Sequence, residues 1–61
     1  MITRIDGYDL GDVAKEIAMT YGGMLVNWYV KDDKLQAVVW EDGDTFVADL
    51  PLNEVKEFME M

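Results

Sequence analysis

Read as a pattern of apolar and polar positions, the chain divides into three β-type runs flanked by two helical stripes. In residues 9–23 (DLGDVAKEIAMTYGG) the apolar positions Leu10, Val13, Ala14, Ile17, Ala18 and Tyr21 recur at spacings of three and four. That period gathers them on one side of a helix. Asp9 stands before the stripe as an N-cap, and Asp12 puts negative charge in the first turn, where the helix dipole favours it. Gly22 or Gly23 supplies the left-handed residue that ends the helix.

Residues 24–31, 34–41 and 45–50 are short, rich in Val, Trp, Tyr and Phe, and bounded by turn residues, which is the pattern of strands. Asp42-Gly43 is a type I′ hairpin dipeptide, and Asp32-Asp33 fills the equivalent place between the first two runs. The final PLNEVKEFMEM predicts a short helix with Pro51 in its first turn and Leu52, Val55, Phe58 and Met59 as its apolar side. Residues 1–8 predict either an extra N-terminal edge strand or an extended lead-in. The expected fold is α+β, one small acidic domain over residues 1–61. Its core is a three-stranded antiparallel meander with two helices on one face, in the order α-β-β-β-α.

Two-residue turns fix a register. The first hairpin pairs Lys31 with Lys34, Val30 with Leu35, Trp28 with Ala37 and Val26 with Val39. The second pairs Glu41 with Asp44, Trp40 with Thr45, Val39 with Phe46, Ala37 with Ala48 and Leu35 with Leu50. Side chains alternate between faces along a strand. One face therefore holds Met24, Val26, Trp28, Val30, Leu35, Ala37, Val39, Phe46, Ala48 and Leu50, all apolar, and a one-residue slip would break the set. The helices are expected to cover it. The opposite face holds Leu25, Asn27, Tyr29, Gln36, Val38, Trp40, Thr45, Val47 and Asp49. There Leu25 is expected across from Trp40 and Val38 beside Val47, an apolar patch that neither helix is left to cover. Trp28 belongs to the core and Trp40 to the patch, and Trp and Tyr are enriched at binding hot spots.

Composition narrows the function classes. A chain of 61 residues buries only about 60% of its unfolded surface. It has neither Cys nor His, so disulfides and the usual zinc ligands are absent. Stability must come from an efficient core or from a second chain. Thirteen acidic residues against five basic give a formal charge of −8. That balance disfavours direct contact with nucleic acid or anionic membranes, which rests on clustered Lys and Arg. A charged partner is expected to be basic. The α-β-β-β-α order is also that of double-stranded RNA-binding domains, but the basic residues such a domain needs are missing, and order alone carries no function. No apolar run approaches the roughly 20 residues that span a bilayer. MITRIDGYDL lacks the basic and apolar regions of a signal peptide, and the lack of Cys fits a reducing compartment. The expected location is the cytoplasm.

Candidate chemistry is sparse. Without His, Cys or Ser the usual nucleophile-and-base pairs cannot be built. Aligning Gly43 with the invariant glycine of a calcium loop would put Val38 and Trp40 at the first and third ligand positions, which fails. Gly22-Gly23 follows a helix instead of opening one, so it is no phosphate loop. The expectation is no enzyme, no cofactor and no metal, but a protein-binding module. Its contact would be the sheet face of Leu25, Tyr29, Val38, Trp40 and Val47, with Asp32, Asp33, Glu41, Asp42 and Asp44 steering a basic partner. In style, a small, cysteine-free, strongly acidic domain resembles phage inhibitors that imitate nucleic acid with carboxylates. The concrete expectation is a phage-type inhibitor or regulator of a basic, nucleic-acid-binding protein. The alternative is a homodimer that self-associates through the same sheet face.

Overall fold

The computed structural model describes residues 2–61. Its elements are β1 (Arg4–Ile5), β2 (Tyr8–Asp9), α1 (Leu10–Thr20), β3 (Met24–Lys31), β4 (Lys34–Glu41), β5 (Asp44–Pro51), a 3-10 turn at Leu52–Glu54, and α2 (Val55–Met59). The fold is α+β. β3, β4 and β5 form one antiparallel sheet in sequence order, and β1 and β2 form a separate two-stranded sheet.

Each end of α1 has a local cause. Asp9 is extended, and its Oδ1 accepts hydrogen bonds from the N–H groups of Gly11 at 2.8 Å and Asp12 at 3.3 Å. Two orphan donors of the first turn are thereby satisfied. At the other end the Gly22 N–H donates to the Met19 carbonyl and the Gly23 N–H to the Ala18 carbonyl, both at 3.0 Å. This paired closure needs a left-handed residue at its centre, and Gly22 provides it with φ +75°. Gly23 is needed for space. A Cβ there would lie 2.6 Å from both the Trp40 carbonyl oxygen and Val39 Cγ1, so the helix end sits directly against β4.

All three hairpins close with two left-handed residues: Asp6-Gly7, Asp32-Asp33 and Asp42-Gly43. That is the I′ geometry whose twist matches the flanking strands. Asp32 and Asp33 adopt it at φ +55° and +60° without a glycine, which aspartate tolerates better than most residues.

The core lies between α1 and the sheet. Leu10, Val13, Ala14, Ile17 and Ala18 of α1 meet Leu35, Ala37 and Val39 of β4, with Ala48, Leu52 and Val55 completing the buried set. Trp28, Val30, Phe46, Leu50, Phe58 and Met59 pack around it, half-buried. The second hairpin has the expected register throughout, from Glu41–Asp44 to Leu35–Leu50. The first begins as expected, with Lys31–Lys34, Val30–Leu35 and Trp28–Ala37. Beyond that it departs.

Between Leu25 and Asn27 the ladder shifts, so that Leu25 pairs with Val39 and Met24 with Trp40. Val26 is the extra residue of a β-bulge. The expected Val26–Val39 pair therefore does not form. Met24 and Val26, expected in the core, are 66% and 60% exposed, and Leu25 packs against the core in their place. The physical reason is the fit beneath the end of α1. Leu25, paired with Val39, packs against the core there, and the bulge absorbs the one-residue difference from the turn-set register.

Both termini differ in detail from expectation. The N-terminal segment, of which Met1 lies outside the described residues, does not add a fourth strand to the sheet. It folds on itself about Asp6-Gly7, and the Leu10 N–H donates to the Thr3 carbonyl at 2.8 Å. Pro51 stands just before the helical run, as the N-cap residue of the 3-10 turn, instead of inside its first turn. It ends β5, paired with Lys34, and the Leu52 N–H donates to the Asp33 carbonyl at 3.0 Å. These contacts keep the chain extended through Pro51, so the helical run starts as a 3-10 turn at Leu52 and becomes α2 at Val55. Tyr21, the last residue of the α1 stripe, is half exposed and meets Phe46 edge-on at 5.1 Å.

Two substitutions test these local causes with opposite signs. Gly23→Ala should destabilise by about 2 kcal/mol, since the methyl group must displace β4 backbone. Asp33→Gly should stabilise by about 0.5 kcal/mol by relieving a left-handed non-glycine residue, part of which is offset by unfolded-chain entropy. Urea denaturation midpoints measure both.

Candidate protein-binding face

Both helices and the core lie on one side of the β3–β5 sheet, so the other side is open. The register orders its outward residues into cross-strand rows. Nearest the β4–β5 turn stand Met24, Trp40 and Thr45. Next come Asn27, Val38 and Val47, with the bulged Val26 alongside, and then Tyr29, Gln36 and Asp49. At the far end Lys31 faces Lys34.

Four of the five predicted contact residues meet here: Tyr29, Val38, Trp40 and Val47. Val38 is half-buried between its neighbours, while Trp40 is 42% and Val47 52% exposed. Leu25 is the exception. The bulge turns it inward against Val39, so it does not contribute to the face. Met24 takes the place across from Trp40, and Val26 adds an exposed methyl surface. Neither was legible as a face residue, because Met24, Leu25 and Val26 are all apolar and alternation gives no parity signal along such a run.

The five predicted acidic residues divide. Asp32 and Asp33 form the β3–β4 turn and Asp42 belongs to the β4–β5 turn, all exposed. Glu41 and Asp44 pair with each other at strand ends, and strand alternation sends them towards the helix side. Glu41 is half-buried there, with Oε2 3.7 Å from the position a Gly22 Cβ would take. This is the parity that the turn-set register gives them, at the turn end of the sheet and off the open face. Of the thirteen acidic residues in the chain, Asp49 alone stands at an outward strand position, 4.0 Å from Lys34 Nζ in an exposed ion pair. The open face is thus nearly free of carboxylates on a protein of charge −8. The remaining acids lie on α1, α2, the turns and the N-terminal hairpin.

The rest of the surface offers little else. One depression, about 410 Å³, is a dent beside the β3–β4 turn lined by Asp32, Asp33, Lys34, Pro51, Leu52 and Asn53. Among the described residues no polar or charged side chain is buried, and no three acidic groups converge closely enough to hold a metal ion. Among the described residues no helix is long and apolar enough to cross a membrane. Compared with protein-family models, with the curated proteins and with the solved structures, the chain matches none.

The Tyr8 phenol is displaced from its ordinary value. The Tyr8 hydroxyl donates to Glu60 Oε2 at 2.7 Å, tying the N-terminal hairpin to the end of the chain. That hydrogen bond, then partial desolvation and the charges of Glu60 and Asp6, hold the Tyr8 phenol above its usual value. A raised folded-state value means the clamp stabilises fully below the unfolded phenol value of about 10 and is lost as pH rises further. Ultraviolet titration of tyrosinate should therefore contain a late component that Tyr8→Phe removes and Glu60→Gln moves to lower pH.

Proposed function

We propose that this chain is a non-enzymatic protein-interaction module, a small acidic regulator that binds a basic protein partner in the cytoplasm. Its concrete form would be a phage-type inhibitor of a nucleic-acid-binding protein, with carboxylates of the helices and turns standing where phosphates would lie. The observation that carries the reading is a separation of surfaces. An uncovered, apolar, nearly carboxylate-free sheet face lies back to back with an acidic helix side. Depletion of charge with exposed aromatic and methionine side chains is the composition of an interface centre. A tryptophan that is 42% exposed leaves on the order of 100 Å² for a partner to cover, worth roughly 2 kcal/mol at the usual area coefficient. Three or four such residues are enough for a specific contact, and the acidic surface would raise the rate of encounter with a cation-rich partner.

Self-association through the sheet face is the second reading, favoured by the presence of Lys31 and Lys34 on that face. Quantitative capture on the immobilised chain separates the elements of the proposal. Wild type should retain a basic protein, with retention falling as salt is raised. Reversing Asp32, Asp33, Asp42 and Asp44 to Lys should cut retention by about tenfold or more, and Trp40→Ala should weaken it without altering the circular dichroism. Retention that ignores both changes would rule the proposal out.

A further inference from the structure

We propose that the open sheet face is occupied by a second copy of this chain, packed face to face about a two-fold axis that crosses the strands at the Val38 row. This rests on reading the face as an interface and names its occupant. The charges on the face are what point to the chain itself. The face carries little charge of its own, with Lys31 and Lys34 at one end and a single carboxylate, Asp49. Two acidic proteins can approach most closely where each is least acidic.

The register then selects one packing. With the strands of the two copies running the same way, Lys34 would lie over the other copy's Lys34, and the like charges would repel. Reversing one copy about the Val38 row removes that clash. Val38 and Val47 meet their own counterparts, and Trp40 lies over the other copy's Tyr29–Gln36 row. The Asp42 turn reaches the other copy's Lys34. The arrangement is self-complementary in both apolar surface and charge, as a two-fold interface must be. Opposed sheets pack about 10 Å apart with strands crossing at roughly 30°, a separation that the side chains of Trp40 and Tyr29 can bridge.

Size sets the expected strength. Three strands of eight residues, at about 3.3 Å per residue and 4.8 Å between strands, give a flat footprint on the order of 400 Å². Interdigitated side chains enlarge the buried area, which places the contact near the lower bound of specific interfaces, about 1,200 Å² in total. A reversible dimer with a micromolar dissociation constant is expected. Its exterior would then display two acidic helix sides to the basic partner.

Light scattering on a sizing column tests this across protein concentrations from about 1 μM to 1 mM, a range that brackets micromolar affinity. The expected result for wild type is a mass rising to twice the 7.0 kDa of one chain. Trp40→Asp and Val47→Lys, both on the exposed face, should stay at one chain mass with unchanged circular dichroism. Lys34→Asp and Asp42→Lys should each weaken the dimer about fivefold or more, and the double swap should restore it, as a direct charge pair requires. A wild type that stays monomeric at 1 mM overturns the proposal, as does a dimer indifferent to Trp40→Asp. Adding polylysine to a monomeric wild type then tells the two readings apart. A shift of Trp40 emission would leave the face as an interface for basic partners, and no shift would remove that reading too.

Discussion

Everything in this small fold depends on the burial of one strand face under one helix. Leu35, Ala37 and Val39 of β4 and Leu10, Val13 and Ala14 of α1 are fully buried against each other. A chain of 61 residues has little other apolar surface to bury, so this contact must be close. Closeness explains the small residues where the layers meet. Ala14, Ala18, Ala37 and Ala48 allow the helix to sit low on the sheet, and Gly23 lets the chain pass β4 without a clash.

The open face follows from the same packing. Near the end of α1 Leu25 pairs with Val39 and packs on the core, while the hairpin turn at Asp32-Asp33 fixes the opposite end of β3. The two demands disagree by one residue, and the bulge at Val26 reconciles them. Its consequence reaches the surface. Met24 and Val26 turn outward to join Trp40, Val38 and Val47, so the bulge converts what would be core into exposed apolar surface. Bulges often re-aim side chains near sites of function, and here a device that fits the core also composes the surface a partner would use.

Most of the architecture could be read from the sequence because its signals were redundant. The α1 stripe, its Asp9 cap and its glycine stop agreed with one another. The Asp42-Gly43 turn and the alternation of β4 and β5 independently gave one register, which the structure has. What escaped the sequence lacked such redundancy. Met24, Leu25 and Val26 are apolar in either parity, so nothing local marked the bulge. Asp6-Gly7 carries the same hairpin dipeptide as Asp42-Gly43, and Ile5 and Tyr8 flank it. The signal was present, but two-residue strands are too short for alternation to support it. The fate of Pro51 turned on a hydrogen bond from Leu52 to Asp33, a contact between residues nineteen positions apart. Of the candidate site, Tyr29, Val38, Trp40 and Val47 followed from turn geometry alone. The side taken by Leu25 depended on the bulge, which no local signal marked.

The central claim is that the bulge at Val26 sets the composition of the open face. Cross-strand nuclear Overhauser effects in solution test it residue by residue, because side chains directly opposite on antiparallel strands lie about 5 Å apart. The account predicts contacts from Met24 to Trp40 and from Leu25 to Val39, with Val26 lacking a partner on β4. Contacts from Val26 to Val39 and from Leu25 to Trp40 would mean an unbroken ladder, with Met24 and Val26 in the core, and would contradict it.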